Sequence, residues 1–161
     1  MKVRFVKMHG AGNDFIVGGY GSDTLYGGND ASGIGSGNDI FVYDAQDIFH
    51  GGDGIDFLLS TGTENLSTLS GTDKVNDIEV LIKGEGSLSL TSMDALADKG
   101  ITVETKDGQE VLKLDSKWKL TDDDGVYANN TDGLIIETSL PESGEADATA
   151  AMILQLTTTS N

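Results

Sequence analysis

The chain contains no cysteine, which excludes disulfide staples, thiolate metal sites and thiol catalysis. No lysine or arginine occurs between Lys7 and Lys74, and none follows Lys119. Aromatic residues make up 6% and hydrophobic residues 37% of the chain, so the apolar core is thin and calls for a supplement. No apolar run approaches the length of a membrane-spanning helix. The opening MKVRFVKMHG lacks the apolar centre of a secretory signal peptide, so an export route would not use this N-terminus. What is abundant instead is acid: 27 Asp and Glu against 10 Lys and Arg, a formal net charge of −17 over 161 residues. Such a charge disfavours nucleic acid and anionic membrane as partners and suits a cation binder. Asp14, Asp23, Asp30, Asp39, Asp44, Asp47, Asp53, Asp56, Glu64 and Asp73 all fall in the stretch without basic residues. Without a counter-ion that stretch should repel itself and stay open.

The length fits one domain or two small ones. Three regions follow from composition: a basic lead at 1–8, a glycine-rich repeat block at 9–60, and a β-rich region at 61–161. In the last region VNDIEVLIK (75–83), SLSL (87–90), ITVET (101–105), EVLKL (110–114), GLIIET (133–138) and AMILQL (151–156) read as short strands between Gly, Asp and Asn clusters. One short helix is predicted over MDALADK, with Thr91 or Ser92 as N-cap and Gly100 as the stop. The turn-rich spacing predicts an antiparallel sheet or sandwich, which would cap the open edge left by the preceding block.

The repeat block reads HGAGNDFIV (9–17), GGYGSDTLY (18–26), GGND (27–30), IGSGNDIFV (34–42) and GGDGIDFLL (51–59). Its frame is G-G-x-G-x-D-x-U-x with U apolar, the nonapeptide of calcium-binding parallel β-helices. Glycines allow tight turns whose carbonyls point at a common centre, and each Asp adds a charged oxygen. Calcium takes six to eight such oxygens, so one turn is insufficient and turns must stack. The Asp spacing suggests two columns, Asp14–Asp30–Asp47 and Asp23–Asp39–Asp56, each with steps of 16 and 17 residues. Ile16, Leu25, Phe41, Phe49 and Leu58 each lie two residues after an Asp and are expected to point inward; Ser32, after Asp30, breaks the rule. A disordered Gly-Asp linker and a metal-free solenoid with Asp as turn former are the plainer readings.

On these residues the block resembles the RTX (repeats-in-toxin) β-roll of Gram-negative proteins exported by type I secretion. The resemblance implies an all-β fold: a short right-handed parallel β-roll followed by a capping antiparallel β-sheet or sandwich with one short helix. It implies calcium sites built from carbonyls and Asp side chains of successive turns. One would use Gly19, Gly21 and Asp23 with Ile34, Ser36 and Asp39; the next Gly35, Gly37 and Asp39 with Gly51, Asp53 and Asp56. The other column is incomplete: Gly10, Gly12 and Asp14 fit, but Gly27, Asn29 and Asp30 form a shortened turn, and the DAQD before Ile48, ending in Asp47, has no glycine. The expected cofactor is therefore calcium, at two complete sites and one or two incomplete ones.

The segment from Asp73 to Leu114 is similar to stretches that follow the repeats in large RTX adhesins. The basic-poor end at 134–161 is similar to an uncleaved type I secretion signal, and reads equally as a last strand with a frayed tail. The resemblance thus implies a non-catalytic, calcium-dependent folding and secretion module of an exported bacterial protein, an adhesin in the first instance. Its partners would be calcium, the type I secretion machinery and a cell-surface sugar or peptide, and its place extracellular or on the cell surface of a Gram-negative bacterium. A calcium-scaffolded sugar- or peptide-binding module, or the tail of an exported protease or lipase, stands as the alternative.

Other signals are weaker. KMHGAGNDFIV (7–17) resembles the start of diaminopimelate epimerase, whose chemistry needs two cysteines that this chain lacks. His9 and His50 border glycine turns without a second nitrogen ligand, and Asp122–Asp124 read as a solvated turn. Trp118 and Tyr127 read as sheet core before ligand groove.

Overall fold

The computed structural model describes residues 12–28, 37–69, 72–85 and 88–141, and the backbone of one further strand at Met152–Gln155. The lead at 1–8, the site candidates Gly10, Asn29, Asp30, Ile34, Gly35 and Ser36, His9, and most of the expected signal region lie outside the described residues.

The chain is mostly short β-strands with two short helices, the all-β class expected from its patterning. With elements numbered along the chain, β1 (Phe15–Ile16), β3 (Ile40–Val42), β5 (Phe57–Ser60) and β7 (Val80–Gly84) lie side by side and parallel. β2 (Thr24–Tyr26), β4 (Ile48–His50) and β6 (Val75–Asn76) form a second parallel set. Successive strands thus alternate between the two sheets. The D-x-U rule explains why: Ile16, Phe41, Leu58 and Leu81 from one sheet meet Leu25, Phe49 and Val75 from the other in a single buried cluster. Phe41 and Phe49 pack edge to face across it, ring centroids 5.9 Å apart. All five inward residues expected from the sequence are in this cluster, at 0–1% exposure.

The parallel pairing does not stop at Ser60. VNDIEVLIK, expected as one strand, is two: β6 and β7, on different sheets, separated by a turn at Asp77–Glu79. Asp77 takes φ +53, a left-handed conformation that no continuous strand permits. Between β5 and β6 stands α1 (Leu66–Leu69), whose one buried residue is Leu66; four residues carry too little periodicity to be read in advance.

β7 is the junction. Parallel to β5 on one side, it pairs antiparallel on the other with β12 (Leu134–Thr138), and the sheet continues through β11 (Val126–Asn129) to β10 (Lys119–Leu120). A hairpin of β8 (Ile101–Lys106) and β9 (Gln109–Leu114), with β13 (Met152–Gln155) parallel beside β9, makes the third sheet. The helix α2 (Met93–Asp98) begins at Ser92, whose hydroxyl accepts from Ala95 N, and ends at Gly100 with φ +78, as predicted. Its Leu96 joins Ile101, Leu112 and Leu114 of the hairpin on the far face of the seven-stranded sheet, against Phe57, Leu59, Val80 and Ile82. The middle strands are therefore buried on both faces, which is why FLL and VLI are continuous apolar runs. SLSL is not a strand at its described residues 88–90.

Trp118 and Tyr127 are core, at 0% and 1% exposure, and Trp118 Nε1 donates to Lys99 O at 2.8 Å. Neither can line a groove. His50 ends β4 and stacks on Tyr26 at 4.7 Å, and Asp122–Asp124 form an exposed turn.

Candidate metal centre

Each parallel strand of the repeat block is entered through an acidic residue, and these acids are joined from coil to coil by the same contact. Asp14 N donates to Asp39 Oδ1, Asp39 N to Asp56 Oδ1, and Asp56 N to Glu79 Oε2, all at 2.8 Å. On the opposite edge Asp23 N donates to Asp47 Oδ1, also at 2.8 Å. Asn13 and Asn38 run a parallel ladder: Asn38 N donates to Asn13 Oδ1 and Ile55 N to Asn38 Oδ1.

This arrangement corrects the expected columns. Asp39 and Asp56 face each other as foreseen, and Gly37 N reaches Asp53 O at 3.3 Å in the same pair of turns. Asp14, however, belongs with Asp39 and Asp56, and Asp23 belongs with Asp47 and not with Asp39. The strand registers agree, with Phe15 opposite Ile40 and Thr24 opposite Ile48. The physical reason lies in the apolar ladder: Ile16 pairs with Phe41 and Leu25 with Phe49 in one buried stack, and the acid before each strand is carried into the matching position. Glu79 was not among the expected residues. Its signal was present: Glu79-Val80-Leu81 is acid-x-apolar, and Leu81 is an inward residue.

Asp39, Asp47, Asp56 and Glu79 each spend one carboxylate oxygen on a backbone N–H of the previous coil. Oδ2 of Asp23, Asp47 and Asp56 is buried and meets no hydrogen-bond donor, on residues only 4%, 1% and 0% exposed. A buried carboxylate oxygen without a partner is costly. Glycines mark where these oxygens gather. A Cβ on Gly18 would collide with Oδ2 of Asp47 and press on that of Asp23; one on Gly27 would meet Asp39 Oδ2 and the Gly51 carbonyl. On Gly51 it would meet Asp56 Oδ2 and the Asp77 carbonyl. Carboxylate and main-chain oxygens thus converge at sites that tolerate no side chain. Gly54, at φ +132, lies so close to the Gly37 carbonyl that only glycine fits.

The electrostatics are one-sided. Burial pushes the Asp39 carboxyl up to about 7; the Asp14 N–H draws it down and the Asp14 charge raises it further. Burial pushes Asp56 up to about 9, against the bond from Asp39 N and with the charges of Glu79, Asp39 and Glu110. Glu79 rises to about 7 for the same leading reason, with Asp77 and Glu110 as its acidic neighbours. Asp47 is also raised, first by burial. Among the described residues no three acidic or histidine side chains form one compact cluster. The acids are strung one per coil, so a cation here would draw most of its oxygens from the main chain. Oxygen-only ligands, turn carbonyls and unpaired carboxylate oxygens fit a hard divalent ion such as calcium.

Among the described residues no helix is long and apolar enough to cross a membrane. No family model matches the chain, and neither the curated proteins nor the solved structures contain a match.

Proposed function

We propose that the chain is a calcium-dependent folding and secretion module of an exported bacterial protein of RTX type, an adhesin in the first instance, with residues from Gly12 onward forming a short parallel β-roll. The observation that carries this reading is the set of buried, unpartnered carboxylate oxygens of Asp23, Asp47 and Asp56, each facing a glycine-only position. The residues that would hold calcium are Asp14, Asp39 and Asp56 with the carbonyls of the turns around Gly27, Gly37 and Gly51 on one edge, and Asp23 with Asp47 near Gly18 on the other. Calcium would supply the positive charge that this region lacks.

The mechanism is folding coupled to metal binding. Where calcium is scarce the acidic turns repel and the chain stays extended enough for export. Outside the cell calcium neutralises the turns, the apolar ladder from Ile16 to Leu81 closes, and the sheet beyond β7 adds to its end. The module is read as non-catalytic. The deciding measurement is a calcium titration of the metal-free chain followed by circular dichroism and melting temperature, with bound metal counted by elemental analysis. At calcium about 100 times the dissociation constant each site adds about 2.7 kcal/mol. Unchanged melting, or no bound calcium at millimolar concentration, defeats the reading.

A second reading, a sugar- or peptide-binding module with calcium as scaffold, is favoured by an open cleft between α2 and β12. Leu88, Lys99, Asp132 and Ile135 line it. Glycan- and peptide-array binding that is lost on changing Ile135 to Asp would support this role.

A further inference from the structure

We propose that the carboxylate column carries one more divalent-cation site beyond the last Gly-Asp repeat, between the turn at Gly51–Asp56 and the turn at Asn76–Glu79, held by Asp56, Glu79 and the main-chain carbonyl of Asp77. The proposal rests on the calcium reading above and extends it to residues outside the nonapeptide frame.

Strand register sets the two turns over one another: His50 lies opposite Asn76 and Phe57 opposite Val80. The later connection, 77–79, is shorter than the earlier one, 51–56. Glutamate, one methylene longer than aspartate, still makes the 2.8 Å contact to Asp56 N that the Asp rungs make elsewhere. Asp56 Oδ2, on a wholly buried residue, has no donor. It converges with the Asp77 carbonyl on Gly51, where no Cβ can stand. Asp77 holds φ +53, a strained conformation for a non-glycine residue, and its carbonyl lies against Gly51. The charged groups acting on Asp56 and Glu79 are all acidic, namely Asp39, Asp77 and Glu110 beside each other. An unpaired buried oxygen, a carbonyl against the same glycine and neighbours that are all acidic together make a cation position.

This site would differ from the others in what it joins. Ser139 N donates to Glu79 O at 3.1 Å, and Glu79 leads directly into β7, the strand shared by the parallel and antiparallel parts of the sheet. A cation here ties the end of the repeat column to the second half of the chain, so its occupancy would be felt beyond Gly84.

The test compares the full chain with Glu79→Gln and, as a control on the opposite edge, Asp23→Asn. In Glu79→Gln the amide oxygen can still accept the Asp56 N–H, so the variant removes charge and keeps the rung. Bound calcium is counted by elemental analysis and isothermal titration. Glu79→Gln should bind one calcium fewer than the unaltered chain, while Asp23→Asn loses calcium from its own edge and retains the Glu79-dependent site. Equal stoichiometry and affinity for Glu79→Gln and the unaltered chain overturn the proposal while leaving the calcium reading intact. An unaltered chain that binds no calcium removes both. Should the variant not fold, hydrogen exchange of the unaltered chain decides. Amides at 76–82 should slow by about tenfold when calcium is about ten times its dissociation constant. Protection confined to residues 14–56 counts against the junction site.

Discussion

The two halves of this molecule reach stability by different routes. In the first, strands of two to four residues pack on the apolar ladder, with Ile40, Phe57 and Leu59 also entering the core shared with the second half. Here Asp23, Asp47 and Asp56 each bury one carboxylate oxygen that meets no donor. In the second, strands are longer, Trp118 and Tyr127 fill the core, and acids find lysines: Lys83 with Glu137 at 2.5 Å and Lys99 with Asp132 at 2.7 Å. One half pairs acids with lysines; the other leaves buried carboxylate oxygens without a donor. The contrast teaches where to look for a ligand: in the polar groups the fold buries and then fails to satisfy, more than in the largest hollow.

The sharpest break of this comparison is a core deletion in the second half. Trp118→Ala should cost about 3–5 kcal/mol, read by denaturant unfolding, and by the same amount with and without calcium. A loss that depends on calcium would show that the Trp118 core and the cation sites are coupled. Asp56→Asn should behave in the opposite manner. It keeps an oxygen for Asp39 N and removes a buried acid whose ionisation the fold opposes, so the metal-free protein should hold or gain melting temperature. In calcium the same change should cost about 2–3 kcal/mol, roughly the linkage energy of one site. A destabilisation equal in both conditions would make Asp56 a purely structural residue.

The pH dependence separates the halves further. Asp39, Asp56 and Glu79 hold their protons to about 7, about 9 and about 7 in the folded, metal-free chain, well above the ordinary carboxyl range. Below that ordinary range these groups are protonated in both states and the folded state carries no penalty. As pH rises toward 7 and then 9, the unfolded chain gives up protons that the folded chain retains, so stability falls. Metal-free melting temperature should therefore decline from pH 5 to pH 9, and calcium should flatten or reverse the slope, because ligation requires the ionised form. A metal-free profile that rises over this range contradicts the burial of the column. The smallest effect is expected at the half-buried ion pair: Lys83→Met should cost about 1–2 kcal/mol, independent of calcium, since Glu137 keeps its bond from Leu66 N.

Much of the first half was legible because its rule is local. An acid two residues before a large apolar side chain defines a strand and the face it buries, and Ile16, Leu25, Phe41, Phe49 and Leu58 all obey it. The missed rung at Glu79 was legible by the same rule: Glu79-Val80-Leu81 repeats acid-x-apolar without the glycines that drew attention to the others. Asp73-Lys74-Val75 repeats it too, and its Val75 turns inward although exposed Asp73 makes no rung. The helix at Met93–Asp98 was readable from its Ser92 cap and Gly100 stop. β10 and β11 were not, because two exposed residues and a four-residue strand beside a DDDG turn carry no period of their own.

By itself the sequence determined the acid excess, the inward face of every repeat strand and the chemistry of the oxygens offered at the turns, since each depends on residues within one nonapeptide. It could not determine which turn faces which. That was decided by the apolar stack, which puts Phe15 opposite Ile40 and Thr24 opposite Ile48. Loop length costs little free energy, whereas burying a polar side chain in the ladder costs several times more. The carboxylates therefore meet the partners that the hydrophobic register assigns, and Glu79 joins the column although no glycine repeat announces it.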